Sequence, residues 1–387
     1  DLFDVEDPGE AHWITLPDGG AGLRTPPGGG PIAEEQCFVP LDDGSLYVTC
    51  RTIDGYPVEA YSRDGGRSWP ELRYMRRASG RAVKHPRAAN FVWKCSEGRY
   101  LYWFHNHGGP FIRRRPQAAY EDRNPSWLLA GIEMDSPEGR VIRWGEPELL
   151  LYHDDPMVRF SYPDLIEQQG RYFVTETEKN LARVHEIPAA FLETMWAKVR
   201  GEAVTPEAGL LFEAPGGSRC GAPPELPEFY RRDYTQPNHG GTLTSAGCAF
   251  EVELAGTVPG SLLEGRDDDG RGIALELDPE LRIILTLDNG NEECRMRSER
   301  LPVLASGDIL TVNVDGGPGI VSFVRNGVFL DGGEELQFGW RRFNPRLIRR
   351  FSPAPWQVGQ QVRQLRVFDR ALMTAECRCR EYPAAQL

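Results

Sequence analysis

The chain is predicted to be all-β, with the blades of a β-propeller in its first half and a β-sandwich in its second. Three observations lead there. Short runs of aromatic and β-branched residues recur between Cys37 and Trp196, each introduced by a Gly-containing turn. Those turns return at intervals of roughly 50 to 70 residues, close to one four-stranded blade with its loops. Beyond about residue 240, apolar and polar residues alternate in several runs separated by Asp, Asn and Gly, as in the antiparallel strands of a sandwich.

In the first half, Ser45 to Thr52 (SLYVTCRT), Arg99 to His105 (RYLYWFH) and Arg171 to Glu178 (RYFVTETE) are read as strands. They follow the turns Asp43-Gly44, Glu97-Gly98 and Gln169-Gly170. Ala189 to Val199 is the helical candidate, with Pro188 suited to its start and Gly201 to its end. It closes the first domain. Ala214-Pro215-Gly216-Gly217 and Ala222-Pro223-Pro224 then read as a linker or extended crossover, dividing a propeller region at 1–214 from a sandwich at 215–387. In the second half Phe250 to Leu254, Gly272 to Leu277, Arg282 to Leu287, Ile309 to Val314 and Ile320 to Val324 are read as strands. Asp288-Asn289-Gly290 and Asn326-Gly327 supply turns between them.

A length of 387 residues exceeds what one hydrophobic core usually serves, which also favours two domains. The 42 Gly and 31 Pro are spread along the chain, as many turns between short strands require. No apolar run approaches the roughly 20 residues of a membrane-spanning helix. A net charge of −13 argues against a nucleic-acid partner, and the run Arg113-Arg114-Arg115 reads as a solvated loop. Eight cysteines show no C-x-x-C spacing, which leaves structural disulfides and isolated buried thiols both open. No targeting segment is visible before Asp1, so the expectation is a mature form or an excised fragment, extracytoplasmic in location.

The sharpest motif is Ser62-Arg63-Asp64-Gly65-Gly66-Arg67-Ser68-Trp69, which fits the Asp-box pattern S-x-D-x-G-x-S/T-W. Asp64 is suited to accept bonds from turn amides, Gly65 and Gly66 permit positive φ, and Trp69 packs between strands. Such a turn stabilises a blade and takes no part in chemistry. A degenerate copy is read at Asp135 to Trp144 (DSPEGRVIRW).

On these residues the stretch Cys37 to Trp196 resembles the sialidase-like, Asp-box-containing β-propellers. Gly44 to Arg51, then Gly55, then the box, looks like the blade whose strand ends in an active-site arginine. The resemblance implies a triad of arginines on the substrate carboxylate, a Tyr nucleophile relayed by a Glu, and an acidic acid/base. Arg51, Arg87 and Arg159 are the implied carboxylate ligands, an Arg fork being matched to a carboxylate. Tyr162 is the candidate nucleophile and Glu176 or Glu178 its base. The two glutamates share one strand face, so their repulsion is expected to raise one pKa. Glu35, before the first strand, is a further acid candidate. Three or four blades fit before residue 200, fewer than the six usual for sialidases, so N-terminal blades are expected to be missing.

Two departures are visible. The family's Phe/Tyr-Arg-Ile-Pro entry motif is absent, and histidines gather near the presumed site: His85, His105 and His107, with Asn106 between the last two. His85 and His107 are candidate catalytic groups, and His105 and Asn106 candidate substrate contacts. His, Tyr and Arg together also suit a uronate-directed lyase, in which Arg or His neutralises the carboxylate while Tyr or His moves the adjacent proton. No metal-ligand spacing such as H-E-x-x-H occurs, and no cofactor is called for. Gln364 to Glu376 (QLRVFDRALMTAE) resembles the final strand of laminin-G or concanavalin-like domains, which implies glycan binding or packing on a catalytic partner. Asp267, Asp268 and Asp269 have hard oxygen ligands for Ca²⁺ but are read as an acidic surface loop. The expected function is exo-acting hydrolysis of acidic or related terminal sugars of glycans. A lyase, or a non-catalytic glycan-binding protein, is the alternative.

Overall fold

Gly44, at φ +82°, turns the chain so that the first two strands meet, and the same device recurs through the molecule. The structure is a computed structural model that describes residues 22–178, 180–202, 208–227, 247–344 and 354–380, with positions 7, 9, 15, 16, 20, 204, 206 and 347. Five antiparallel sheets make up almost all of it. The first is β1 (Ile32–Pro40), β2 (Leu46–Thr52), β3 (Val58–Ser62) and β4 (Arg73–Tyr74), paired in chain order. The second is β5 (Phe91–Cys95), β6 (Arg99–Phe104), β7 (Ser126–Ser136) and β8 (Gly139–Trp144), with β9 (Glu148–Leu151) added to β7. A short helix α1 (Pro110–Arg114) lies between β6 and β7. The third is β10 (Ser161–Gln168), β11 (Arg171–Glu178) and β12 (Leu181–Ile187), followed by helix α2 (Ala189–Val199).

The remaining strands are β13 (Leu210–Pro215), β14 (Arg219–Cys220), β15 (Gly247–Leu254), β16 (Gly260–Glu264), β17 (Gly272–Leu277), β18 (Ile283–Asp288), β19 (Glu293–Arg297), β20 (Ile309–Asp315), β21 (Ile320–Arg325), β22 (Val328–Phe329), β23 (Trp340–Arg342), β24 (Trp356–Val358) and β25 (Val362–Phe368). They form one sheet in the order β13-β25-β15-β20-β21-β22, with β23 on β21, and another in the order β14-β24-β16-β17-β18-β19. Phe250, Val252, Leu365 and Val367 of the former pack with Leu263, Leu275, Leu285 and Trp356 of the latter in one buried core. β13, which spans the expected division at 214/215, pairs with β25.

The two halves also share a core. Tyr47, Tyr102 and Trp144 of the first two sheets cluster with Ala249, Val324, Phe329, Trp340 and Phe368 of the later strands. An ionic network lies at the same junction. Arg77 donates to both Glu146 and Asp331, and Arg81 NH2 lies 2.6 Å from Asp331 Oδ1 and 2.7 Å from Glu299 Oε2. Lys84 Nζ donates to the carbonyls of Asp331 (2.9 Å) and Leu336 (2.6 Å), and burial pulls its pKa down to about 8. A third core joins Leu101 and Trp103 of β6 to Val174 of β11 and Leu192, Met195 and Trp196 of α2.

The Ser62–Trp69 turn closes through side chains. Asp64 accepts from Ser62 Oγ (2.8 Å), Ser68 N (2.9 Å) and Ser68 Oγ (2.6 Å), while Trp69 Nε1 donates to Gly66 O (2.9 Å). Bonds to the ionised carboxylate, those from Ser68 first, draw the Asp64 pKa down to about 2. Arg113 belongs to α1, and its Nε reaches Asp54 Oδ1 at 3.1 Å. All eight cysteines are free thiols, so the disulfide alternative is not realised. Asp267 and Asp269 both pair with Arg271, at 2.8 and 2.7 Å. Among the described residues no group of three or more His, Cys, Asp or Glu is arranged to hold a metal. No described helix is long and apolar enough to cross a membrane.

Candidate active site: an arginine cluster around Tyr162

β1 does not run straight. Its register against β2 shifts between Ile32 and Gln36, and within the shift Glu34 (φ +62°) and Glu35 (φ +55°) both adopt left-handed backbone. Two successive non-glycine residues in that region store strain, which persists where surrounding contacts hold it. Here the holding group is Arg51, at the end of β2. Its Nε donates to Ala33 O (2.8 Å), and its NH1 lies 2.6 Å from Glu35 Oε2. The second contact is an ion pair rather than an aligned hydrogen bond. Arg51 is 4% exposed.

Arg87 and Arg123 stand near Arg51, and Arg159 stands near Arg123. Arg87 approaches Glu34 at 3.9 Å and lies over the Tyr120 ring, 5.1 Å from its centroid. Arg123, from the loop before β7, donates to Ser161 Oγ at 3.0 Å, while its Nε is buried with no partner. Arg159, just before β10, is exposed, and its backbone N–H donates to Glu178 Oε1 at 3.3 Å. Burial lowers the pKa of Arg51, which Glu35 opposes and Arg87 reinforces. Burial likewise lowers that of Arg123, with Arg159 and Arg51 adding to the effect and Tyr162 opposing it. Both shifts express the same condition: cations crowded in a partly desolvated place with too few anions. Such a place favours a bound anion.

Tyr162 lies beside the cluster, since it interacts electrostatically with both Arg51 and Arg123. Its φ of +47° sits in a register shift of β10 against β11, and it is 57% exposed. Among the described residues its hydroxyl makes no hydrogen bond. Arg51, Arg87, Arg159, Tyr162 and Glu35 are therefore gathered together, and Arg123 joins them without any motif having marked it.

The other candidates lie elsewhere or deeper. Glu176 is wholly buried, its Oε1 shared by Arg183 Nε and His185 Nε2 and its Oε2 3.4 Å from Arg183 NH2. Burial alone would raise its pKa, but the bonds from His185 and Arg183 outweigh it and the net shift is downward. The expected rise through repulsion with Glu178 is thus replaced by charge pairing, because β12 sets a cation and an imidazole opposite Glu176.

His85, His105, His107 and Asn106 are at most 3% exposed. His85 Nδ1 accepts from the His105 backbone N–H (3.2 Å), so Nε2 carries the proton it gives to Ala88 O (2.8 Å). His105 stacks on His85 at 5.8 Å and points Nδ1 at Pro125 O (3.3 Å). His107 stacks on Phe338 and bonds through Nε2 to Asp122 O (3.0 Å). The Asn106 carbonyl accepts from Trp340 Nε1 (2.9 Å). Burial holds all three imidazoles neutral, with His85 and His107 down to about 3. The charges of Arg51 and Arg123 are felt at His85, and that of Arg123 at His105, so these two buried rings neighbour the arginine cluster.

No protein-family model matches the chain, and no curated relative matches it. Solved structures with some likeness include a leech intramolecular trans-sialidase complexed with 2,7-anhydro-Neu5Ac. It is 16% identical, with 45% of this chain and 27% of that one covered and a TM-score of 0.34. A Trypanosoma rangeli sialidase is 11% identical, covers 88% of this chain and 61% of its own, and has a TM-score of 0.25. The CBM40 domain of a Ruminococcus gnavus IT-sialidase, bound to α2,6 sialyllactose, is 10% identical over 42% of this chain and 95% of that domain, with a TM-score of 0.28. This chain thus spans less than two thirds of those two enzymes. At such identities and TM-scores none of these likenesses assigns an activity.

Proposed function

We propose that the chain is the glycan-processing part of an exo-acting glycoside hydrolase of the sialidase-like kind, directed at a terminal sugar bearing a carboxylate. The observation that carries this reading is the chain of neighbouring cations Arg87, Arg51, Arg123 and Arg159, of which Arg51 and Arg123 interact with Tyr162, with Glu35 against Arg51. The first three sheets are read as propeller blades and the last two as a glycan-associated sandwich, with the protein working outside the cytoplasm. In this reading the arginines take the sugar carboxylate. The Tyr162 oxygen, passing its phenol proton to Glu178, bonds the anomeric carbon as the glycosidic C–O bond breaks, and Glu35 in its protonated form gives its proton to the leaving oxygen. Water then cleaves the glycosyl–tyrosine bond, losing a proton to Glu35, and Glu178 returns the proton to Tyr162. Glu176 and the three histidines act as supports, since Glu176 is paired with Arg183 and His185 and the imidazoles are buried.

The test is a screen of sialyl, uronyl and neutral aryl-glycosides, reading both reducing-sugar release and ultraviolet absorbance, with Tyr162→Phe as control. Release from acidic substrates alone, abolished in Tyr162→Phe, is the expected result. An ultraviolet-absorbing unsaturated product would replace hydrolysis with elimination at a uronate. Binding without turnover would reduce the chain to a glycan-binding role.

A further inference from the structure

We infer that a second pocket, on the flank between β4 and the β7–β8 hairpin, binds an acidic sugar through Arg76. The cavity there measures about 460 Å³, within the range of roughly 300 to 1,000 Å³ that small-molecule sites occupy. None of Arg51, Arg87, Arg123, Arg159 or Tyr162 lines it, so it is separate from the arginine cluster.

The charges around the pocket are unequally matched. Arg77 is neutralised by Glu146 and Asp331, and Arg73 by Glu59, 3.3 Å away, with the exposed Glu138, which also lines the cavity, acting on Arg73 as well. Arg76 forms no ion pair among the described residues. Its NH1 donates to Gly80 O at 2.7 Å, and the remaining donors of an exposed fork stay available at the cavity wall. Such a fork matches a carboxylate in geometry as well as charge. Arg143 lines the same cavity. In a chain of net charge −13, which repels anions at long range, capture of an anion here requires this local cation.

The rest of the lining calls for hydroxyl groups on the same ligand. Glu59, a buried carboxylate that lines the cavity, accepts from Tyr47 Oη (2.9 Å) and Arg73 Nε, and two oxygens offer more than two acceptor positions. Ser136 Oγ gives its proton to Gly139 O (2.7 Å) and accepts from the Glu138 N–H (3.2 Å), which leaves one lone pair at the cavity it lines. Acceptors within the cavity and a cation on its wall describe a hydroxylated monocarboxylate, the class of the uronic and other acidic sugars. The site holds regardless of whether the arginine cluster hydrolyses anything, because it shares no residue with that cluster.

Calorimetric titration of the whole chain with D-glucuronate, with glucose and acetate as controls, tests this at about 0.15 M salt. Glucuronate is expected to saturate the protein at millimolar concentration or below, with glucose and acetate at least tenfold weaker. Arg76→Gln, at an exposed position, should weaken glucuronate at least tenfold while leaving thermal unfolding unchanged. Arg51→Gln should not alter this binding. Affinity unchanged in Arg76→Gln, equal binding of glucose or acetate, or no saturation overturns the inference. Loss only in Arg51→Gln would assign the binding to the arginine cluster instead and equally overturn it.

Discussion

Arg51 NH1 lies 2.6 Å from Glu35 Oε2, and this contact ties the end of β2 to a turn in which Glu34 and Glu35 both have positive φ. The guanidinium therefore has two tasks: holding strained backbone and presenting positive charge beside Tyr162. On the proposed function, an anionic substrate would compete with Glu35 for that charge. Glu35→Gln should leave KM for an acidic glycoside unchanged or lower, while kcat falls by about 10²- to 10⁴-fold, the usual worth of a general acid. Steady-state kinetics separate the two constants, and a raised KM with unchanged kcat would remove Glu35 from the chemistry.

Glu176 is predicted to be a support. Glu176→Ala leaves Arg183 and His185 facing a buried gap, and breaking such a pair costs about 3 to 5 kcal/mol. Because pairing lowers its folded pKa, its contribution is present above the unfolded carboxyl value and is lost as pH falls through the folded one. Chemical denaturation at pH 7 and pH 3 should show the variant's deficit shrinking at the lower pH.

Glu148 carries the opposite sign. Its carboxyl accepts from the backbone N–H of Ala375 (2.7 Å) and Thr374 (3.0 Å), joining β9 to the segment after β25. Burial, helped by Glu376 and Glu146, raises its pKa to about 8 from an ordinary 4.5, against the pull of those two N–H groups. Unfolding then releases a proton, so this contribution is fully present below pH 4.5 and is lost as pH rises through 8. Glu148→Gln should flatten the decline in Tm between pH 5 and pH 8.5, and calorimetry at the two values checks it.

Asp331 receives two arginines from the first half of the chain. Asp331→Asn leaves Arg77 and Arg81 with one anion fewer in a buried place and should cost at least about 3 kcal/mol. Since the core containing Tyr102 and Phe368 crosses the same junction, unfolding should remain one transition at a lower Tm. Two separated transitions in the parent protein would contradict this.

Gly55 has φ +82°, and its carbonyl accepts the N–H groups of His85 and Gly109, each at 3.0 Å. A Cβ there would stand 2.3 Å from Gly109 O, a backbone atom that cannot swing aside. Gly55→Ala should destabilise by more than about 3 kcal/mol, at the upper end for single substitutions. Gly44→Ala, with positive φ but nothing within 4 Å, should cost distinctly less, and paired denaturation curves distinguish the two.

Much of this molecule was determined by its local sequence. The α2 limits at Ala189 and Val199 follow from Pro188 and the helix-forming run after it, and β17 occupies the residues alternation marked, Gly272 to Leu277. The Ser62–Trp69 turn closes through bonds spanning no more than four residues. The place of Arg51 at the end of β2 was legible for a similar reason, the strand following the Asp43-Gly44 turn.

Tertiary structure alone decided what faces what. Arg123 meets Ser161 across 38 residues, and Arg77 meets Asp331 across 254, distances over which no spacing rule operates. Period-two alternation places Glu176 on one strand face but does not say that β12 will set Arg183 and His185 opposite it, which lowers a pKa that repulsion would have raised. The histidines look alike in sequence whether they line a cleft or are sealed against Phe338 and Pro125; burial made them neutral. Local pattern selects strands, turns and helix because those depend on neighbouring residues, whereas desolvation and charge pairing depend on which distant segments the fold brings together.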